Sequence, residues 1–374
     1  MASTESSSVD SVQLPSSLPT MASVVLLVVD GLGVGPAPDS ALYGDEGADT
    51  GELLTSMGAR TPWAPGAGVS LIPTHSGKGT TTGHWELFGA SPTELEPIHG
   101  PFPDSLAQAI RSVVGHDPLW CNYHRSGIEL LNIVGEASLR DGRVVAYTSD
   151  DAVLQLAAHT ASIAPSTLNE WASEIALALP RVAPLGRVIT RPFRSDGEGF
   201  VRLRRDRRDF HARPLGRTVL EDLIDAGIAV TVAGKAVDIF HWLGAATFAP
   251  GPFAMDDITA LLAECSSRRS HLLVLNLPEV DDNLHDLELE AAARRLSEVT
   301  DAVDRVVPAL GDHAALILTG DHGCDIRINA TANTRERVPF YVAGRGLPFD
   351  RVCASQTMSD VAVLLRAVFL GARP

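Results

Sequence analysis

The sequence is poor in cysteine, in positive charge and in long apolar runs, and each shortage excludes something. Its four cysteines (Cys121, Cys265, Cys324 and Cys353) are widely spaced, with no CxxC pair. That argues against a disulfide framework and against a thiolate metal site, and it fits a reducing, cytoplasmic setting. Lys and Arg number 30 against 46 Asp and Glu, a formal net charge of −16. So acidic a surface repels nucleic-acid phosphates and anionic lipid, and neither nucleic acid nor membrane is expected as a partner. A phosphorylated small molecule stays open, provided cations gather locally. The longest apolar run near the start, Val24–Val29, is too short for a signal-peptide core or a membrane span. What the chain does have is 374 residues, 45% of them apolar, which is ample for a buried core and excludes disorder of the bulk.

Residues 1–21 are rich in Ser, Thr and Pro and read as a disordered tail. Val24–Val29 then reads as a buried strand ending at Asp30. Similar runs recur at Val144–Thr148, Arg187–Thr190, Ala229–Ala233, Leu272–Leu277, Ala314–Leu318 and Pro339–Val342. Helical periodicity marks Ser105–Val114, Thr218–Ala226 and Leu287–Leu310. Continuous apolar strands alternating with amphipathic helices predict an α/β fold with a mainly parallel sheet flanked by helices. Residues 96–216 differ in texture, with more Pro and a basic run at Arg202–Arg217. They read as a separate α/β cap domain, inserted between core segments 22–95 and 217–374.

Three apolar runs end in metal-ligand chemistry. Asp30 follows the first, Asp281 with Asp282 and His285 follows LLVLNLPEV, and Asp321–His322 follows ALILTG. Singly, each is an ordinary turn feature. Together they suit two divalent cations held by carboxylate and imidazole, a donor set matching Mn, Zn or Fe, able to clamp a phosphoryl displacement. The Gly-rich loop Ser76–Glu86 carries a hydroxyl run, Thr80 to Thr82, but lacks Walker spacing. Arg187 and Arg191 share one face of their strand and are the better phosphate-binding candidates. Arg202, Arg204 and Arg205 read as a solvated basic face.

The motifs VVDGLGVGPAPDSALYGDEGADT (28–50), SGKGTTTGHWE (76–86), YTSDDAVLQLAAH (147–159), GRVITRPF (186–193), RRDFHARPLGRTV (207–219), GKAVDI (234–239), LTGDHGCD (318–325) and NTRERVP (333–339) occur in order. Across about residues 22 to 370 the chain resembles the phosphopentomutase family of the alkaline phosphatase superfamily. The resemblance implies an alkaline phosphatase-like core with two divalent metal ions, manganese by expectation, and a cap that contacts substrate. By position it makes Thr80 the phosphorylated nucleophile. Asp30, Asp321 and His322 match the ligands of one metal, and Asp281 and His285 match ligands of the other. Asn333, in TANTRE, stands where the family has a further histidine ligand. Three residues separate Asp281 from His285, where the family has four. Ser149, Asp151, Arg187 and Arg207 of the cap, and Lys235 of the core, would face a sugar phosphate. The implied reaction interconverts the 1- and 5-phosphates of a ribose-type pentose. A phosphohydrolase with the same nucleophile, and a binding protein without turnover, are the alternative readings.

Overall fold

The computed structural model describes residues 23–62, 69–90, 95–96, 98, 100–121, 127–148, 152–197, 199–247, 259–260, 263, 271–330, 332–344 and 356–371. The expected tail, and the candidate residues Ser149 and Asp151, lie outside these. In chain order the strands are β1 (Ser23–Val29), β2 (Val69–Leu71), β3 (Leu119–Trp120), β4 (Val145–Thr148), β5 (Val153–His159), β6 (Arg187–Ser195), β7 (Phe200–Arg202), β8 (Arg208–His211), β9 (Ala229–Gly234), β10 (Ala246–Thr247), β11 (His271–Leu277), β12 (Ala314–Thr319) and β13 (Val338–Gly344).

One sheet runs β10-β9-β11-β1-β12-β13-β2. Its first five strands are parallel, and β13 and β2 close one side antiparallel. Every residue of β1 is buried, and the alternation of side chains along a strand divides them between two cores. Val24, Leu26 and Val28 enter one core with Leu272 and Val274 of β11 and Ile317 of β12. Val25, Leu27 and Val29 enter the other with Leu273, Leu275 and Leu318. Both faces are therefore covered, which is why these strands read as unbroken apolar runs. Each such side chain contributes about 1.5–3 kcal/mol by leaving water.

The covering helices follow from spacing. Ala292, Leu296, Val299, Val303 and Val306 bury one stripe of helix Leu289–Val306 against the second core. Leu287, at φ 62°, breaks the chain before it, and Pro308 lies in the 3-10 turn Val307–Ala309 after it, so the helix is shorter than its periodic stretch. Thr218 caps helix Val219–Asp225 through a reciprocal pair with Glu221.

A second sheet, β3-β4-β5-β6-β7 with β8 paired to β6, is built from residues 119–211. It mixes parallel and antiparallel neighbours. Leu154, Leu156 and Val188 pack on one side, joined by helix Pro165–Val182. Val145, Tyr147, Ala157 and Phe193 pack on the other. β6 runs on to Ser195, five residues past the expected Thr190, because Pro192 and Phe193 still pair with β5. Arg202 departs from the expected solvated face: it is half-buried and donates to the Tyr147 hydroxyl at 3.1 Å.

Candidate active site

β11, β1 and β12 are adjacent and parallel, so the segments leaving their carboxyl ends converge, as in open α/β sheets generally. Asp30 follows β1, and Asp321 and His322 follow β12. All three are buried, and one donor atom of each lies within 4.8 Å of the others. Asp281 is not at a strand end, as the sequence suggested. Pro278 follows β11, and the chain turns directly into helix Glu279–His285. On that helix the three-residue spacer is one turn, so Asp281 and His285 share a face with oxygen and nitrogen 3.5 Å apart. Gly31, at φ +75°, allows this approach: a Cβ there would sit 2.7 Å from Asp281 Oδ1.

Thr80 is the first residue of helix Thr80–Leu87. Its Oγ1 lies 2.8 Å from His322 Nε2, 3.4 Å from Asp30 Oδ1 and 3.3 Å from Lys235 Nζ. The two hydroxyls beside it are otherwise engaged. Thr81 pairs with His211 Nδ1 at 2.7 Å, and Thr82 donates to the Gly79 carbonyl at 2.9 Å. Gly83 packs against the Asp321 carbonyl so closely that no Cβ fits, which seats the helix on the loop that carries Asp321 and His322.

The electrostatics follow from crowding carboxylates in a buried place. Burial alone would raise Asp30, but the Lys235 ammonium at 2.9 Å and His322 overcome it and hold that carboxyl well below its usual range. Burial disfavours the His322 imidazolium, yet Asp321, Asp30 and Asp281 outweigh it and push His322 up to about 10. Burial and the negative Asp30 raise Asp281. Lys235 is raised by the same carboxylates, against its burial.

The donors suit divalent cations. Asp321 Oδ2 and Asp281 Oδ1 are buried and make no hydrogen bond among the described residues; they face imidazole nitrogens, at 3.4 and 3.5 Å, a setting that a divalent cation would satisfy better. His322 Nδ1 lies 3.0 Å from the Gly323 carbonyl, to which it donates when Nε2 is left free toward the cluster, the arrangement that metal-ligating histidines use. Asn333 bridges the two groups of donors. Its Oδ1 is 2.9 Å from His285 Nε2, and its Nδ2 is 3.1 Å from His322 Nε2 and donates to the Lys78 carbonyl at 3.0 Å.

Some site residues escaped the sequence reading. Asn276, inside β11, donates to Asp30 Oδ2 at 3.2 Å and lies 3.2 Å from His84 Nε2. A single amide in the apolar run LLVLNL was its available signal. Arg335 is buried, donates to the Gly77 carbonyl at 2.8 Å and pairs with Asp39 at 2.9 Å, holding the threonine loop from below. Cys324 is fully buried and clusters with Asp281 and His285, within 4.8 Å donor to donor. Burial and the neighbouring Asp281 raise its thiol pKa. The wide spacing of the cysteines argues against a thiolate metal site; the fold nevertheless sets this one thiol beside Asp281 and His285.

A cavity of about 640 Å³ opens over Thr80. Lys235, Asp281 and Asn333 line its floor, and Arg187, Arg207 and Asp209 come to it from the second sheet. Arg207 donates twice to Asp209, from Nε and Nη2, both at 2.8 Å, and Arg187 reaches the same carboxylate at 3.3 Å. Arg191 instead donates to Gln155 at 3.0 Å and is not among the residues lining the cavity.

Known proteins resemble this chain along most of its length. The Metalloenzyme superfamily matches residues 22–370. A phosphopentomutase from Anaeromyxobacter sp. strain K is 34% identical over 86% of this chain and 89% of its own. Phosphopentomutase from Syntrophotalea carbinolica is 33% identical over 92% and 94%, and that from Caldanaerobacter subterraneus is 30% identical over the same shares. Among solved structures, phosphoglycerate mutase from Leishmania mexicana aligns over 94% of this chain and 96% of its own, at 13% identity and a TM-score of 0.47. The chain belongs to the phosphopentomutase family of the Metalloenzyme superfamily, and is an enzyme of the isomerase type. Among the described residues, no helix is long and apolar enough to cross a membrane.

Proposed function

We propose that this enzyme interconverts the 1- and 5-phosphates of a ribose-type pentose in the cytoplasm, with the phosphoryl group carried on Thr80. The observation that supports it most is the setting of Thr80 Oγ1, alone of three adjacent hydroxyls within reach of His322, Asp30 and Lys235. Phosphothreonine at the first residue of a helix also meets the free N–H groups and positive dipole end there.

In the first transfer, the bond between phosphorus and Thr80 Oγ1 breaks as a free sugar hydroxyl bonds to phosphorus, and the hydroxyl's proton passes to the Thr80 oxygen that the transfer frees. The product is a pentose bisphosphate. In the second, its other phosphoryl group returns to Thr80 Oγ1, leaving the isomeric monophosphate. Asp30, Asp321 and His322 would hold one divalent cation, manganese by preference, and Asp281 and His285, with Asn333 beside them, a second. Such cations supply positive charge to the transferring oxygens and make a bound hydroxyl more acidic. Lys235 donates to Oγ1 and offsets phosphate charge. Arg187 and Arg207, their forks aligned by Asp209, bind the far phosphate. Residues 96–216 act as the cap over a core of 22–95 and 217–374, excluding water that would hydrolyse phospho-Thr80. Ser149 and Asp151, outside the described residues, belong by position to the sugar contacts.

The test is turnover of ribose 1-phosphate and ribose 5-phosphate with manganese, following both isomers and free phosphate. Isomerisation with little free phosphate is expected. Free phosphate without isomer would make the enzyme a phosphohydrolase instead.

A further inference from the structure

The two donor clusters differ in chemistry. Asp30, Asp321 and His322 offer oxygens and one imidazole, whereas Asp281 and His285 share their cluster with the Cys324 thiol. Cys324 is fully buried and makes no disulfide. Its backbone is fixed from several sides. Cys324 N donates to Thr50 Oγ1 at 2.8 Å, and that hydroxyl donates to Glu336 Oε1 at 2.8 Å. Gly323, just before it, packs against Glu336 too closely for any Cβ. Asp281, 5% exposed, has an oxygen, Oδ1, that makes no hydrogen bond among the described residues and lies 3.5 Å from His285 Nε2 in the same cluster. A buried carboxylate oxygen that makes no hydrogen bond, an imidazole and a thiol on a fixed backbone, all within 4.8 Å, form a donor set and more than a packing accident.

We propose that Cys324 is a ligand of the second cation, together with Asp281 and His285, and that this site takes a thiophilic divalent ion, zinc or cobalt, in preference to manganese. The inference rests on the two-cation reading above and changes its second half. Thiolate is a soft donor that favours zinc and cobalt, and oxygen donors suit manganese. On binding, the thiol proton leaves to solvent and the sulfur bonds the cation, one proton released for each ion held. A sulfur donor here also makes up for the imidazole that Asn333 does not provide.

The experiment is a cobalt titration of the metal-stripped, full-length protein. Thiolate-bound cobalt has an intense near-ultraviolet charge-transfer absorption that oxygen- and nitrogen-bound cobalt lacks. The wild type is expected to develop that band to a plateau of one thiolate per chain. Zinc should abolish it at equimolar amounts, and manganese should leave it intact in large excess. In Cys324→Ser the band should fall at least about 10-fold, while cobalt still binds at Asp30, Asp321 and His322. Absence of the band from wild type, its persistence in Cys324→Ser, or its loss to modest manganese would each overturn the proposal. The wild-type arms stand even if the variant fails to fold. The readout is independent of turnover, so failure of the mutase reading would show in the isomer assay and not here.

Discussion

The two donor clusters lie side by side, yet the chain builds them by different routes. Asp30, Asp321 and His322 stand where two neighbouring parallel strands end, and all three are buried. Asp281 and His285 ride one turn of a short helix, with His285 35% exposed, and meet Cys324 from the β12 loop. The first cluster is anchored by two strand ends and faced by the Lys235 ammonium, 2.9 Å from Asp30. The second depends on a helix, an amide bridge through Asn333 and a thiol. The ends of two central strands thus position the first cluster, and the helix that follows β11 positions most of the second.

Removing the hydroxyl that sits on the first cluster should have the largest effect. Thr80→Ala is expected to lower turnover by on the order of 10⁴-fold or more, with cation content and thermal unfolding nearly unchanged. Turnover retained within about tenfold would move the nucleophile elsewhere. The arginines that line the cavity come next. Arg187→Ala and Arg207→Ala should each weaken substrate use by about 2–5 kcal/mol at most, because Asp209 is left with less charge to meet. Arg204→Ala, on an exposed turn, should stay within about 0.5 kcal/mol. Steady-state kinetics on the three variants decides it, and equal effects would mean a diffuse field instead of a built phosphate site.

Glu336, which supports the backbone of the second cluster through Thr50, sharpens the contrast by pH. Burial pushes its carboxyl up to about 7, against the hydrogen bonds it accepts from Thr50 and Thr334. An ordinary carboxyl in the unfolded chain titrates near 4.5, so between these values the folded state holds the proton and the unfolded state does not. Stability must then fall as pH rises from about 4.5 to 7, by on the order of 3 kcal/mol from this group. Denaturant unfolding across that range, with cations chelated, should show the slope, and Glu336→Gln should flatten it. The smallest effect is expected of Asn333→His, which restores an imidazole beside His285. It should tighten the second cation about 10-fold and leave the first unchanged, as calorimetric titration would read. Two sites of equal affinity in wild type would contradict the asymmetry altogether.

The difference between the clusters also explains what was legible in the sequence. An apolar run followed by Asp is local information, and adjacent parallel strands bring such ends together, so Asp30, Asp321 and His322 could be read directly. β1, β11 and β12 were equally plain, because each is buried along its whole length. The antiparallel edge strand Val69–Leu71, three residues long and partly exposed, left no pattern to read. Asp281 and His285 were found, but their helix was not, since Pro278 turns strand into helix without a loop. Cys324 could not be found by spacing. Its partner Asp281 lies far away in sequence, and only the pairing of β11 and β12 with β1 brings them together. Arg202 looked like surface charge and is half-buried because Tyr147, across the sheet, offers its hydroxyl.

The account rests above all on Thr80 as the phosphoryl carrier, and mapping the phosphate tests that most directly. The protein should be incubated with a pentose 1,5-bisphosphate and manganese, quenched, digested and its peptides sequenced by mass spectrometry. A single phosphate is expected on Thr80 and none on Thr81 or Thr82, whose hydroxyls face His211 and the Gly79 carbonyl. Phosphate on Thr81 or Thr82, or an active enzyme that never carries any, would contradict it.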